Sequence, residues 1–194
     1  MWRSVVTWSA LIAVSALIVL LAWQNRGLRA DRDWLTDRVN YAYSGMYVPV
    51  VDTVGLDGAK YQLGAPAGDR QILFFFNHVC PYCRASAPTV VETAHALRKE
   101  FGDRVDFVGV CDCEEAQAKA FVASHKFDFP VVALSETRSL AIYRARRVPT
   151  LLAIDRNGRV RHTVQGVFNT TEQASDLIAE LRRKDPPPKR QTGK

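Results

Sequence analysis

Residues 71–77, QILFFFN, form a continuous apolar run that leads into C-P-Y-C at residues 80–83. Such a run suits a central strand whose sheet is covered on both faces. Behind the second cysteine, Val90, Val91, Ala94 and Leu97 recur on one side of a predicted helix that reaches about Glu100. The strand therefore ends, and the helix begins, within a few residues of two cysteines.

The rest of the chain extends this pattern. RVDFVGV (104–110) predicts a second buried strand, Glu114–His125 a helix, FDFPVVAL (127–134) a short strand and Ser139–Tyr143 a short helix. Upstream, residues 48–64 alternate around Asp57-Gly58; downstream, the runs 150–154 and 159–164 flank Asn157-Gly158. Both dipeptides signal hairpins. A helix from Thr171 to Arg183, with Ala174, Leu177, Ile178 and Leu181 on its buried side, closes the domain. Strands alternating with helices, then a hairpin and a helix, predict an α/β fold with a mixed central β-sheet flanked by helices.

From Ser4 to Trp23 no side chain is charged. A helix of that length measures about 30 Å, which matches a bilayer's hydrocarbon core. A cleaved secretory signal would have a shorter apolar region, and no clear small-x-small site precedes Gln24. An uncleaved N-terminal transmembrane helix is therefore expected. The chain should divide into an anchor at 1–23, a juxtamembrane stalk at 24–46, a domain at 47–183 and a disordered basic tail at 184–194. Most of the net charge of +6 lies at that end, where residues 182–194 carry six basic groups and one acid. The domain itself is close to neutral, so no nucleic-acid partner is expected. Orientation is ambiguous by charge: Arg26, Arg29, Arg32 and Arg38 follow the anchor, and the positive-inside rule taken literally keeps them cytoplasmic.

The cysteine pair has a chemical logic at a strand end. Cys80 falls at a helix N-terminus, where free amide hydrogens and the helix dipole favour an anion, and thiol–disulfide exchange needs a thiolate. Cys83 lies one turn on, more buried, placed to attack a mixed disulfide on Cys80. Pro81 suits the first helical turn, where its missing N–H costs nothing.

ILFFFNHVCPYC with its helix, followed later by RRVPTLLAIDRNGRV, resembles the thioredoxin fold. LDGAKYQL upstream and the inserted AFVASHKFDFPVV resemble, more narrowly, the membrane-anchored TlpA-like thiol–disulfide oxidoreductases, over about residues 48–183. The resemblance implies catalytic Cys80 and Cys83, and a substrate-binding surface of Pro81, Tyr82, Val148, Pro149 and Thr150. Pro149 should be cis and lie against the cysteines, leaving the Val148 backbone to pair with an extended substrate. No cofactor and no metal is implied. The implied partners are cysteine-containing proteins, such as an apocytochrome c or a copper-site protein, and a membrane thiol reductase as electron donor. The implied location is a bacterial inner or cytoplasmic membrane, single-pass, with the domain facing the periplasm or extracytoplasmic space.

The chain also departs from the family. Phe74 stands where thioredoxins often carry a buried acid, Val79 where tryptophan is usual, and Arg147 where glycine is common. Pro81-Tyr82 is commoner in glutaredoxin-like proteins, which keeps a disulfide oxidant or isomerase open beside a reductant. Arg144, Arg146 and Arg147 form either a solvated cluster or a surface for an acidic partner. His78 either donates to Cys80 or faces solvent. A second pair, Cys111 and Cys113, ends the strand 104–110 on one face. These two are core-packing residues, a second dithiol exchanging electrons with the first, or part of a four-thiolate metal site; a cysteine-based metallochaperone is the alternative function from a different class.

Overall fold

A computed structural model describes the backbone of residues 2–134 and 137–183, with side chains at 8, 11–134 and 140–183. The expected basic tail at 184–194 lies outside the described residues. The chain forms two compact units, one ending at Val39 and the other beginning at Asn40. The first is a single helix, α1 (Trp2–Asn40), about 58 Å long. Within Leu11–Asn40 an 18-residue window has a mean hydropathy of 1.6, so by length and composition the helix is long and apolar enough to cross a membrane. The segment expected as an anchor and the expected stalk as far as Asn40 thus lie in one continuous helix. Residues 40–46, expected in the stalk, belong to the second unit: Ala42 and Met46 are buried, and the Ala42 N–H donates to the Arg144 carbonyl at 3.0 Å. The boundary moves because these apolar side chains find partners in the domain's core.

The domain opens with a hairpin, β1 (Val51–Val54) and β2 (Lys60–Leu63), turning at Asp57-Gly58 with Gly58 at φ 79°. A five-stranded sheet follows. Its strands are β3 (Arg70–Phe76), β4 (Val105–Cys111), β5 (Val131–Ala133), β6 (Thr150–Asp155) and β7 (Val160–Gln165), in the order β5-β4-β3-β6-β7. The first three strands run parallel and the last two pairings are antiparallel, so the sheet is mixed, as expected. The helices are α2 (Pro81–Phe101), α3 (Glu115–His125), α4 (Thr137–Ile142) and α5 (Thr171–Arg182).

Every residue of β3 is buried. Its alternation divides the core in two. Ile72, Phe74 and Phe76 face Ala87, Val90, Ala94 and Leu97 of α2, Phe121 of α3 and Leu177 of α5. Leu73 and Phe75 face the other side, with Met46, Val48, Leu63 and Tyr143. Tyr143 is fully buried, yet its hydroxyl donates to the carbonyls of Pro49 and Leu63, at 3.1 and 3.0 Å. This phenol pins the hairpin segment to the sheet. The hairpin in turn protects the β5 edge, where the Leu56 N–H donates to the Val131 carbonyl at 2.8 Å.

Replacing Tyr143 with Phe keeps the ring and removes the hydroxyl that the Pro49 and Leu63 carbonyls accept. The expected cost is roughly 1–3 kcal/mol in urea unfolding of the detergent-solubilised chain, with an unchanged m-value. Burial pushes the Tyr143 phenol above its ordinary value of 10.0. The neutral form is therefore favoured in the folded chain, so this contribution is complete below about pH 10 and is lost as pH rises beyond it. The Phe variant should lack that alkaline loss.

Candidate active site

The ladder between β3 and β4 ends with Phe76 opposite Cys111. Asn77 then leaves the strand, and all its polar groups find partners. Its side-chain amide donates to the Asp112 carbonyl at 2.7 Å, and its side-chain oxygen accepts the Val79 N–H at 3.0 Å. Its own carbonyl accepts the Cys80 N–H at 3.2 Å. The backbone turns through His78 and Val79 and starts α2 with Cys80 as N-cap and Pro81 in the first turn. A cap residue has extended backbone and a side chain that accepts from the helix's free amides. Cys80 meets this description, with φ −72° and ψ 118°, and its sulfur accepts the Cys83 N–H at 3.4 Å.

The two sulfurs have opposite surroundings. Cys80 is partly exposed, with the exposed Pro81 and Tyr82 following it, while Cys83 is fully buried. Both are free thiols. Burial pushes the Cys83 thiol well above its ordinary range, against the Asn77 N–H that favours its anion, and the neighbouring Cys80 sulfur raises it further. One sulfur is open to a partner; the other is held protonated beneath it.

The third part of the site comes from β6. The Val148–Pro149 bond is cis, and the Val148 carbonyl accepts the Cys80 thiol proton at 3.6 Å. In this dithiol state the Val148 carbonyl is thus engaged by Cys80 itself. Thr150 is buried, starts β6 opposite Phe75, and donates its hydroxyl to the Arg147 carbonyl at 2.6 Å, closing the turn that carries the proline. Cys80, Cys83, Val148, Pro149 and Thr150 therefore converge, and Pro81 and Tyr82 form the exposed rim.

The surrounding residues settle several open points. Phe74 stacks on Phe76 with ring centroids 5.6 Å apart, so the position of the missing acid is occupied by hydrocarbon. His78 neither donates to Cys80 nor lies open to solvent at its Nδ1, which is buried without a hydrogen-bond partner. Arg144 and Arg147 lie over the rings of Tyr43 and Tyr41, at 5.2 and 4.5 Å, which holds two of the three arginines on the domain beside the Val148 turn. Cys111 and Cys113 are bonded to each other, so their sulfurs are not open thiolates in this state. Among the described residues no group of three or more His, Cys, Asp or Glu is placed to hold a metal ion. Sequence reasoning missed Asn77. The available signal was a single amide side chain closing an otherwise apolar strand.

A mixed sheet of this order, with a cysteine pair at the start of the first crossover helix facing a cis-proline, defines a thioredoxin-like domain. The chain belongs to the Redoxin family, which matches residues 43–181. It is 27% identical over 138 residues to the thiol-disulfide oxidoreductase ResA of Bacillus cereus, covering 71% of this chain and 78% of that one. Two solved structures share the fold. StoA from Bacillus subtilis has a TM-score of 0.57 and 21% identity, over 69% of this chain and 96% of StoA. The thioredoxin domain of a thiol-disulfide oxidoreductase from Bacteroides vulgatus has a TM-score of 0.61 and 18% identity, over 73% of this chain and 99% of that domain.

The contrast between the two sulfurs is directly measurable. In the reduced chain at neutral pH, iodoacetamide should label Cys80 first and Cys83 roughly a hundredfold more slowly. Peptide mapping over time checks this; equal rates would contradict the burial of Cys83.

Proposed function

We propose that the chain is a membrane-anchored thiol–disulfide oxidoreductase that exchanges the Cys80–Cys83 dithiol with protein substrates, acting as a reductant. One observation carries the reading: an accessible sulfur at a helix N-cap faces the Val148 carbonyl of a cis-proline turn, with a second sulfur buried one turn behind. The Redoxin match and the similarity to ResA support it.

The exchange follows from those positions. The Cys80 sulfur attacks one sulfur of a substrate disulfide, and the other substrate sulfur leaves as a thiolate. Cys83 then gives up its proton and attacks the Cys80 sulfur, releasing the second substrate thiolate. The substrate gains two electrons and the chain keeps a Cys80–Cys83 disulfide. An extended substrate segment lies along the turn at Val148–Pro149, displacing the Cys80 thiol from the Val148 carbonyl, with Tyr82 beside it. Substrates are cysteine-containing proteins of the kind the family resemblance implies, an apocytochrome c or a copper-site protein. A membrane thiol reductase restores the dithiol. The apolar helix α1 anchors the chain with the domain on the extracytoplasmic side, because that is where protein disulfides form and need reducing.

The Pro81-Tyr82 dipeptide supports a second reading, in which the same pair acts as an oxidant. Reduction potential separates the two: near −270 mV marks a reductant and near −120 mV an oxidant. The substrate test is a Cys83→Ala chain expressed in its native membrane, which retains the mixed disulfide on Cys80. Captured proteins with paired cysteines, absent from a Cys80→Ala control, are the expected result. An empty trap would refute the proposal.

A further inference from the structure

The second cysteine pair is not used by the exchange above, and its setting is informative. Cys111 ends β4 and Cys113 follows two residues on, joined in a disulfide with Cα atoms 5.3 Å apart. As a staple this bond does little. It closes a loop with only Asp112 between the two cysteines and joins no separate elements, and the stabilisation from a crosslink falls as the loop shortens. Its position is more telling. Cys83, Cys111 and Cys113 belong to one buried cluster on the α2 face of the sheet, and Cys80 packs against it. Asn77 ties the two pairs together: its amide holds the Asp112 carbonyl between Cys111 and Cys113, its N–H meets the Cys83 sulfur, and its carbonyl holds the Cys80 N–H. Asp112 is fastened to β3 as well, by its N–H to the Phe76 carbonyl at 2.8 Å. Cys111 is fully buried, but Cys113 lines a pocket of about 220 Å³ with Gly55, Leu56, Glu114 and Ala133. Both cysteines share the buried cluster that holds Cys83, and Cys113 alone of the two also lines a pocket.

Resting on the proposed function, we infer that Cys111–Cys113 is a second redox centre that receives electrons from an external dithiol and passes them internally to Cys80–Cys83. The external dithiol attacks Cys113 through the pocket and Cys111 leaves as a thiolate. The donor's second sulfur then attacks its partner in the mixed disulfide and frees Cys113, leaving the donor as a disulfide and the pair as a dithiol. With Cys80–Cys83 oxidised, the Cys111 thiolate attacks the Cys83 sulfur and expels Cys80 as a thiolate at the N-terminus of α2. Cys113 then attacks Cys111, re-forming Cys111–Cys113 and releasing Cys83, which takes up a proton. Two electrons and two protons move from one pair to the other. The state in the structure, a dithiol at Cys80 and Cys83 and a disulfide at Cys111–Cys113, is the product of that transfer. Electrons thus enter through a pocket that no residue of the Val148 turn lines.

The intermediate can be trapped. In the full-length Cys80→Ser/Cys113→Ser chain in detergent, oxidised glutathione should drive an intramolecular Cys83–Cys111 bond, found by non-reducing peptide mapping. Free thiols or glutathione adducts at both positions would overturn the relay. The unaltered chain provides a test that does not depend on the variant folding. Fully oxidised protein is pulsed with half an equivalent of dithiothreitol, desalted, and quenched at intervals with an alkylating mass tag. Label should move from Cys111 and Cys113 to Cys80 and Cys83 at a rate independent of protein concentration. A fixed distribution, or a rate that scales with concentration, would refute it. Neither measurement uses a protein substrate, so failure here leaves the Cys83→Ala trap as a separate test of the exchange itself.

Discussion

The site depends on how β3 ends. A strand with both faces buried must leave its sheet without abandoning polar backbone groups in a dry core, and such orphans are costly. Asn77 meets that demand at the point where the ladder stops. Its amide bonds Asp112 across the strand boundary, its side-chain oxygen caps the turn at Val79, and its carbonyl positions the Cys80 N–H. The turn is thereby held at both ends, and the helix that follows starts at a defined place. Because the first amides of α2 have no partner within the helix, the Cys80 sulfur completes the cap. The sulfur proposed to react and the structural cap are one atom.

Much of this was legible in the sequence because burial leaves a strong mark. The runs 71–77 and 104–110 read as buried strands and are β3 and β4; the two Xaa-Gly turns sit where Asp57-Gly58 and Asn157-Gly158 predicted them. Residues 40–46 were harder. Ala42 and Met46 are isolated apolar residues among tyrosines and glycine, and only contact with Tyr143 and its neighbours shows that they are core. The partners of Asn77 were not readable at all, since Asp112 is 35 residues away and meets it only through strand pairing. The bond between Cys111 and Cys113 had the same limit: alternation put both on one face but did not say whether the sulfurs would meet.

Phe74 shows how a local substitution changes the terms of the chemistry. Stacked on Phe76 and edge-on to Phe127, it belongs to a chain of rings that continues through Phe121. An acid there would need a partner of its own inside this packing. The aromatic cluster avoids that cost and dries the surroundings of Cys83, whose thiol is pushed up by burial above all else. Packing and protonation are linked: the rings that stabilise the sheet also keep the second sulfur neutral.

That neutrality bears on the order of events in the proposed exchange. A buried thiol is a poor nucleophile until it loses its proton, so Cys83 does not compete with Cys80 for an incoming disulfide. Its turn comes once Cys80 is bonded to a substrate, when the sulfur that accepted the Cys83 N–H is no longer free to ionise. The Asn77 N–H, which favours the anion, then acts on Cys83 without an anionic neighbour to oppose it. Burial, by keeping Cys83 protonated while Cys80 is free, and the Asn77 N–H, by favouring the Cys83 anion, impose a sequence on two chemically identical groups. The asymmetry comes from one turn of helix: the first cysteine lies at the amide-rich end and the second faces the core.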